Sequence, residues 1–176
     1  MFYKLVGILY TLTLKLIYLN RIKLKGIISP EGFITIKIDK NAKLTILGNI
    51  TLRAGSQILV RENATCQIGS GVFFNRNCSV VCREDIMISE NVLIGESVKI
   101  YDNDHKVDES NIYKDKFLTK SIIIDKNVWI GNDVNILKGL EILQNSIIGS
   151  MSLVKSKLPV SGVYVGVPMR LLSERQ

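Results

Sequence analysis

The sequence predicts an all-β solenoid. Short parallel strands wind around a three-faced prism, with one inserted loop and a short helix in front. Two regularities and one interruption point to it. Ile124, Ile130, Ile136, Ile142, Ile148 and Val154 recur every six residues without a gap, and Ile88, Ile94 and Ile100 keep the same step upstream. A third run, Ile38, Leu44, Ile50, Ile68, Phe74, Val80 and Ile86, lapses at Ser56 and Glu62 and slips by two before Ile88. The polar, aperiodic stretch "DNDHKVDESNIYKDKFLTK" separates the upstream runs from the downstream one.

A step of six fits neither the 3.6-residue helical period nor the two-residue alternation of a hairpin sheet. It fits a coil of three flat faces, each led by an inward aliphatic residue that stacks on the next coil. The corners of such a coil need left-handed backbone angles, which Gly, Asn and Asp tolerate. Asn127, Asn132, Asp133 and Asn145 are placed for them.

The elements follow in order. Residues 1–25 read as an apolar helix with a basic connector. Lys4 and Lys15 leave an apolar stretch too short to span a bilayer, and no small-residue cleavage site marks a signal peptide. Lys4, Thr11 and Lys15 fall on one narrow stripe of that helix, so it must bury a wide face. The cover would be the prism, a neighbouring subunit, or a membrane interface with Arg21, Lys23 and Lys25 on lipid headgroups. Residues 26–158 read as the solenoid. Gly26, Pro30 and Gly32 make 21–33 a connector, strands run from 34, and 102–121 form the inserted loop. Pro159 ends the repeats and leaves 159–176 as a C-terminal loop and tail.

Composition narrows the chemistry. One domain fits 176 residues. The net charge of +7 comes without aromatic–basic interleaving, which argues against nucleic acid and for a phosphate-bearing ligand or an anionic membrane surface. Cys66, Cys78 and Cys82 lack zinc spacing, and a single histidine leaves little to complete a metal site. No metal is expected, and the thiols read as reduced in a cytoplasmic protein, peripheral at most to the inner face of the membrane. The long irregular loop within a regular solenoid is the functional candidate, and it carries His105, the chain's one histidine.

Four segments carry a resemblance: "FFNRNCSVV", "ISENVLIGESVKIYDNDH", "NVWIGNDVNILKGLEI" and "GVYVGVPMRLL". In this order, across residues 66–172, they resemble the hexapeptide-repeat acyltransferases. These are left-handed parallel β-helix proteins that include the galactoside and maltose O-acetyltransferases and the O-acetyltransferases of surface polysaccharides. The resemblance implies a left-handed coil, a homotrimer with active sites between prisms, acetyl-CoA as cosubstrate, and a saccharide or sugar-nucleotide acceptor. It also implies roles for residues. His105 is the general base toward the acceptor hydroxyl and then the acid toward the CoA thiolate, as an imidazole suits. Asn75 holds the hydroxyl, with Asn77 a structural neighbour, and the Asn132 backbone N–H faces the oxyanion. Asp102 or Asp104 could orient the imidazole. Trp129 and Ser150 border the acetyl-pantetheine arm, and Lys155, Lys157 and Arg170 are the candidate cations for the CoA phosphates.

The chain departs from the family pattern at Lys155-Ser156, where Thr-Lys is usual, and at Met151, where a small residue is usual. It also lacks the long N-terminal helical region of the galactoside and maltose enzymes, which implies a different acceptor. Two other readings stand beside O-acetyl transfer: an N-acetyltransferase of an amino sugar nucleotide, and a non-catalytic β-helix scaffold.

Overall fold

Each coil of the chain adds one strand to each of three parallel sheets, and together they form a left-handed β-helix of about six turns. The computed structural model describes residues 2–175, with side chains from Leu5 onward, so the Lys4 side chain lies outside the described residues. The first face starts with Ile22–Leu24, the second with Ile28–Glu31 and the third with Thr35–Ile38. The inward residues stack on themselves coil after coil. Leu44, Cys66, Ile86 and Ile122 are in line on the first face, and all are fully buried. Burying each such Ile or Leu contributes about 1.5–3 kcal/mol.

Register shows where the six-residue step breaks. In line on the first face, Ile22, Leu44 and Cys66 are 22 residues apart, Cys66 and Ile86 are 20 apart, Ile86 and Ile122 are 36 apart, and Ile122 and Leu140 are 18 apart. The steps from first to second face and from second to third stay at six, as at Lys23, Ser29 and Thr35. All extra length therefore gathers at one corner, between the third face and the first face of the next coil. Glu62 falls in that corner. Ser56 does not: it is 1% exposed and points inward, and its hydroxyl donates to the Asn75 carbonyl. The slip before Ile88 is the corner at Arg83 and Glu84, and both Ile86 and Ile88 face the core.

Left-handed angles occur at Asn127, Asp133 and Asn145, and also at Asn41, Asn63, Asn77 and Asn91. Asn132 is not among them. Asn77, with φ 59°, is a corner residue.

Four expectations are corrected. The stretch 21–33 is not a connector, because Ile22, Leu24 and Ile28 bury against Leu44, Ile46 and Ile50 and make the first coil. The insertion is not irregular: Asn103–Val107 and Ile112–Thr119 pair as an antiparallel hairpin. Repeats do not end at Pro159, since Gly162–Val165 extends the second face in parallel and Arg170–Glu174 pairs back on it antiparallel. The stripe of Thr11 and Lys15 is not the outer face of the helix, because both line the groove beside Leu24 and Ile27 and Thr11 is buried there.

The helix α1 (Phe2–Tyr18) closes the open end of the first coil. Gly7 permits close approach, since a Cβ there would lie 2.9 Å from the Ile28 carbonyl oxygen. The backbone groups of the end strands would otherwise be unpaired. The Ile28 N–H donates to Thr11 Oγ1, Tyr18 Oη donates to the Ile36 carbonyl, and Arg21 donates to the carbonyls of Ile38 and Asp39. Leu14 packs inward, while Leu5, Leu9, Leu12 and Leu16 on the far side are exposed.

Candidate active site

The hairpin leaves the solenoid at Asp102, a fully buried carboxylate. Its oxygens accept from the backbone N–H groups of Arg83 and Glu84 at 2.8–2.9 Å and from Asn103 Nδ2 at 3.0 Å. The insertion is thereby tied to the corner of the preceding coil. At the tip, Asp108 accepts from the Ser110 and Asn111 backbone and from the Tyr113 hydroxyl. The Tyr113 hydrogen bond, helped by the backbone ones, holds the Asp108 carboxyl below the usual range, and the same bond raises the Tyr113 phenol.

That tip sets His105. Its Nδ1 lies 3.0 Å from the Tyr113 carbonyl oxygen. A carbonyl can only accept, so Nδ1 carries the proton and the neutral ring keeps its lone pair on Nε2. Phe117 stands opposite His105 in the hairpin register, with ring centroids 4.7 Å apart. The Arg83 guanidinium lies 3.4 Å from the Phe117 ring centre. His105, Asn103 and Phe117 of the hairpin enclose, with Arg61, Val81 and Arg83 of the solenoid, a cavity of about 650 Å³. Neither flanking aspartate orients the imidazole: Asp102 is turned to backbone amides and Asp104 pairs with Lys138.

A second groove, of about 420 Å³, lies on the outer surface of the second face. Phe73, Asn75, Leu93, Trp129 and Asn132 line it, so three of the expected site residues meet here. Asn75 Oδ1 accepts from the Arg76 backbone at 2.9 Å and from Arg53 Nη1 at 3.3 Å, while among the described residues its Nδ2 has no acceptor. Trp129 is about half exposed. The Asn132 backbone N–H donates to Ser150 Oγ at 3.1 Å, and its Oδ1 accepts from the Glu96 backbone. Gly131 lets these coils close up, since a Cβ there would sit 2.6 Å from the Ser150 nitrogen.

The chain does not bring His105 to Asn75. Asn75 follows the second face, and His105 sits in the corner between third and first faces. The candidate cations do not converge on the Trp129 groove either. Lys157 lines a separate cavity with Glu84, Lys120 and Glu141, Lys155 is exposed just past the third face, and Arg170 is exposed on the last strand. Sequence reasoning passed over Arg61 and Arg83, which share the His105 cavity. Their signal is a 22-residue separation, one coil at that corner, visible only once the coil lengths are known.

Solved structures share this architecture. The hexapeptide-repeat acetyltransferase VCA0836 of Vibrio cholerae O1 biovar eltor, solved with acetyl coenzyme A, is 31% identical with a TM-score of 0.59, over 63% of this chain. The match spans 61% of that protein's length. A point mutant of AntD, an N-acyltransferase from Bacillus cereus solved with dTDP-4-amino-4,6-dideoxyglucose and coenzyme A, is 20% identical with a TM-score of 0.73, over 94% of this chain and 89% of that one. The polySia-specific acetyltransferase NeuO is 20% identical with a TM-score of 0.58, over 87% and 74%. No protein-family model matches the chain, and no curated protein sequence does.

Proposed function

We propose that this chain, which shares the hexapeptide-repeat fold of these acetyltransferases, moves an acetyl group from acetyl-CoA to a saccharide hydroxyl in surface-glycan assembly. The observation that carries the reading is the 3.0 Å contact of His105 Nδ1 with the Tyr113 carbonyl, which selects the tautomer with its lone pair on Nε2. A neutral alcohol is a weak nucleophile toward a thioester. Nε2 takes the hydroxyl proton as the oxygen bonds to the thioester carbonyl carbon. The C–S bond then breaks, and Nε2–H returns the proton to the departing thiolate. The Tyr113 carbonyl steadies the imidazolium formed in between.

The groove supplies the remaining parts. Asn75 Nδ2 donates to the acceptor oxygen. The Asn132 N–H serves the oxyanion. Its present bond to Ser150 Oγ is near the long end of the N–H···O range, so the thioester oxygen competes for it. Trp129 and Ser150 border the pantetheine arm. Lys155, Lys157 and Arg170 remain candidates for the phosphates, joined by Arg76 beside Asn75.

Because His105 and Asn75 stand at different corners, the working site takes the hairpin of one copy and the groove of the next. A homotrimer satisfies this with three equal sites, and exposed Leu93 and Trp129 supply apolar surface for the contact. Residues 1–25 give the assembly a peripheral membrane contact at the inner face of the membrane. Exposed Leu5, Leu9, Leu12 and Leu16 accompany Lys15, Lys23 and Lys25 there, and among the described residues no helix is long and apolar enough to cross a bilayer.

N-acyl transfer to an amino sugar nucleotide is the second reading. It is favoured by the fold match to AntD over nearly the whole chain, and it uses the same base. Thiol release from acetyl-CoA across a panel of saccharide and amino-sugar acceptors decides between the two. Release with no acceptor of either class would overturn both.

A further inference from the structure

We infer that the cavity beside His105 is an anion subsite, and that the acceptor carries a carboxylate or phosphate close to the group it offers for acylation. This rests on the transferase reading and adds the charge class of its acceptor. Three cations line the cavity, Arg61, Arg83 and Lys114, against one acid, Asp115.

Arg83 is the best-held of these cations. Its guanidinium carbon sits over the Phe117 ring, 3.4 Å from the ring centre, which holds the group in place. Its Nε is buried and has no hydrogen-bond partner. Among the described residues no carboxylate lies within 4.0 Å of it. Asp102, on the same corner, spends its oxygens on the backbone of Arg83 and Glu84 and on Asn103. That Nε is closed to solvent, so an arriving anion meets the guanidinium through its Nη groups, which make no hydrogen bond among the described residues and whose charge no protein carboxylate pairs.

Arg61 lies one coil below on the same corner, and its own link to Asp39 is a loose 3.5 Å. Burial first, and then the neighbouring Arg61 charge, lower the Arg83 pKa, as expected for two cations facing one space. A planar guanidinium pinned on an aromatic ring presents paired N–H donors, which match the two oxygens of a carboxylate or phosphate. His105 opens onto the same cavity, so one ligand can meet the base and the cations together.

Two acceptor types share this chemistry: acidic saccharides, through a ring carboxylate, and sugar nucleotides, through the diphosphate. The test uses the full chain with three probes: a sialic acid trimer, its neutral methyl ester, and dTDP-glucose. Binding is followed by calorimetry and acylation by thiol release. The charged probe of the correct class should bind, and the ester should not. Arg83→Gln and Arg61→Gln should each weaken that binding about 10- to 100-fold, with Arg83→Lys intermediate. Binding of the trimer alone assigns a carboxylate, and binding of dTDP-glucose alone assigns a phosphate.

If the ester and the trimer bind equally, or if the arginine variants bind like the parent while keeping its melting temperature, the subsite is wrong. If charged probes bind through Arg83 yet no probe is acylated, the subsite stands and the transferase reading falls. If a neutral saccharide is acylated efficiently while no anion binds, the transferase reading stands and the subsite falls.

Discussion

His105 Nδ1 meets the Tyr113 carbonyl across the hairpin at 3.0 Å, and Tyr113 is itself fixed through its hydroxyl on Asp108. The catalytic assignment rests on this chain of contacts, because it fixes which ring nitrogen is free. His105→Ala removes the one imidazole and should lower acyl transfer about 10²- to 10⁴-fold. The assembly should stay intact, since the side chain is exposed and packs only on the hairpin. Thiol release and light scattering on the same samples check both halves. Undiminished transfer would sink the assignment.

Asp102 and Asp104 flank that histidine in sequence but have unlike duties. Asp102→Ala removes the buried carboxylate that the N–H groups of Arg83 and Glu84 bond and should cost about 2–4 kcal/mol of stability. Asp104→Ala breaks a half-exposed pair with Lys138 and should stay within about 1 kcal/mol. Denaturant unfolding of the two variants separates them. Equal losses would mean that the Asp102 cradle does not hold the corner.

Cys78 gives a pH signature. Burial pushes its thiol up from an ordinary 9.0 to about 11. The native thiol therefore keeps its proton where the unfolded one has released it. Stability from this group is complete below about pH 9 and falls as pH rises toward 11, by roughly 2–3 kcal/mol in all. Cys78→Ala should flatten that alkaline decline in a series of unfolding curves. A decline unchanged by the substitution would assign it to other groups.

Much of this was legible in the sequence, and what was not has a physical cause. The run from Ile124 to Val154 announced the coil because every corner there is tight and every step is six. The upstream coils hid theirs, because extra residues at one corner change the phase without leaving an aliphatic mark. The hairpin read as a loop because both of its faces are largely exposed, so hydrophobic alternation is weak. Asn75, Trp129 and Asn132 came from the motifs that carry the family resemblance, and the stacking of coils on the second face brings them to one groove. Arg61 and Arg83 were not, because only coil stacking brings them to a histidine 44 and 22 residues away.

The end helix calls for surface changes. Deleting residues 1–20 would also uncover the first coil, since Thr11 and Tyr18 satisfy its backbone. Serine at Leu9, Leu12 and Leu16, all more than half exposed, leaves that cover in place. This triple variant should lose sedimentation with anionic vesicles and keep its melting temperature. Leu14→Ala, at a 4% exposed position, should instead cost about 2–5 kcal/mol. A triple variant that still sediments with vesicles, or that falls apart as an oligomer, would assign the apolar face to a neighbouring subunit.

The separation of His105 and Asn75 allows a direct test of site sharing. Take His105→Ala and Asn75→Ala, each inactive alone, and co-express them. If every site sits within one chain, no assembly regains a complete set, and activity stays at the background of the single variants. If each site joins the hairpin of one copy to the groove of the next, some interfaces of a mixed assembly pair an intact His105 with an intact Asn75. Random mixing in a ring makes that about a quarter of all interfaces, and about one in three in a purified mixed trimer, so activity should return to about those fractions of the parent. A heterodimeric tag on each variant lets the mixed species be purified and its thiol release measured. Background activity in a verified mixed assembly would rule out a site shared between these two residues of neighbouring copies.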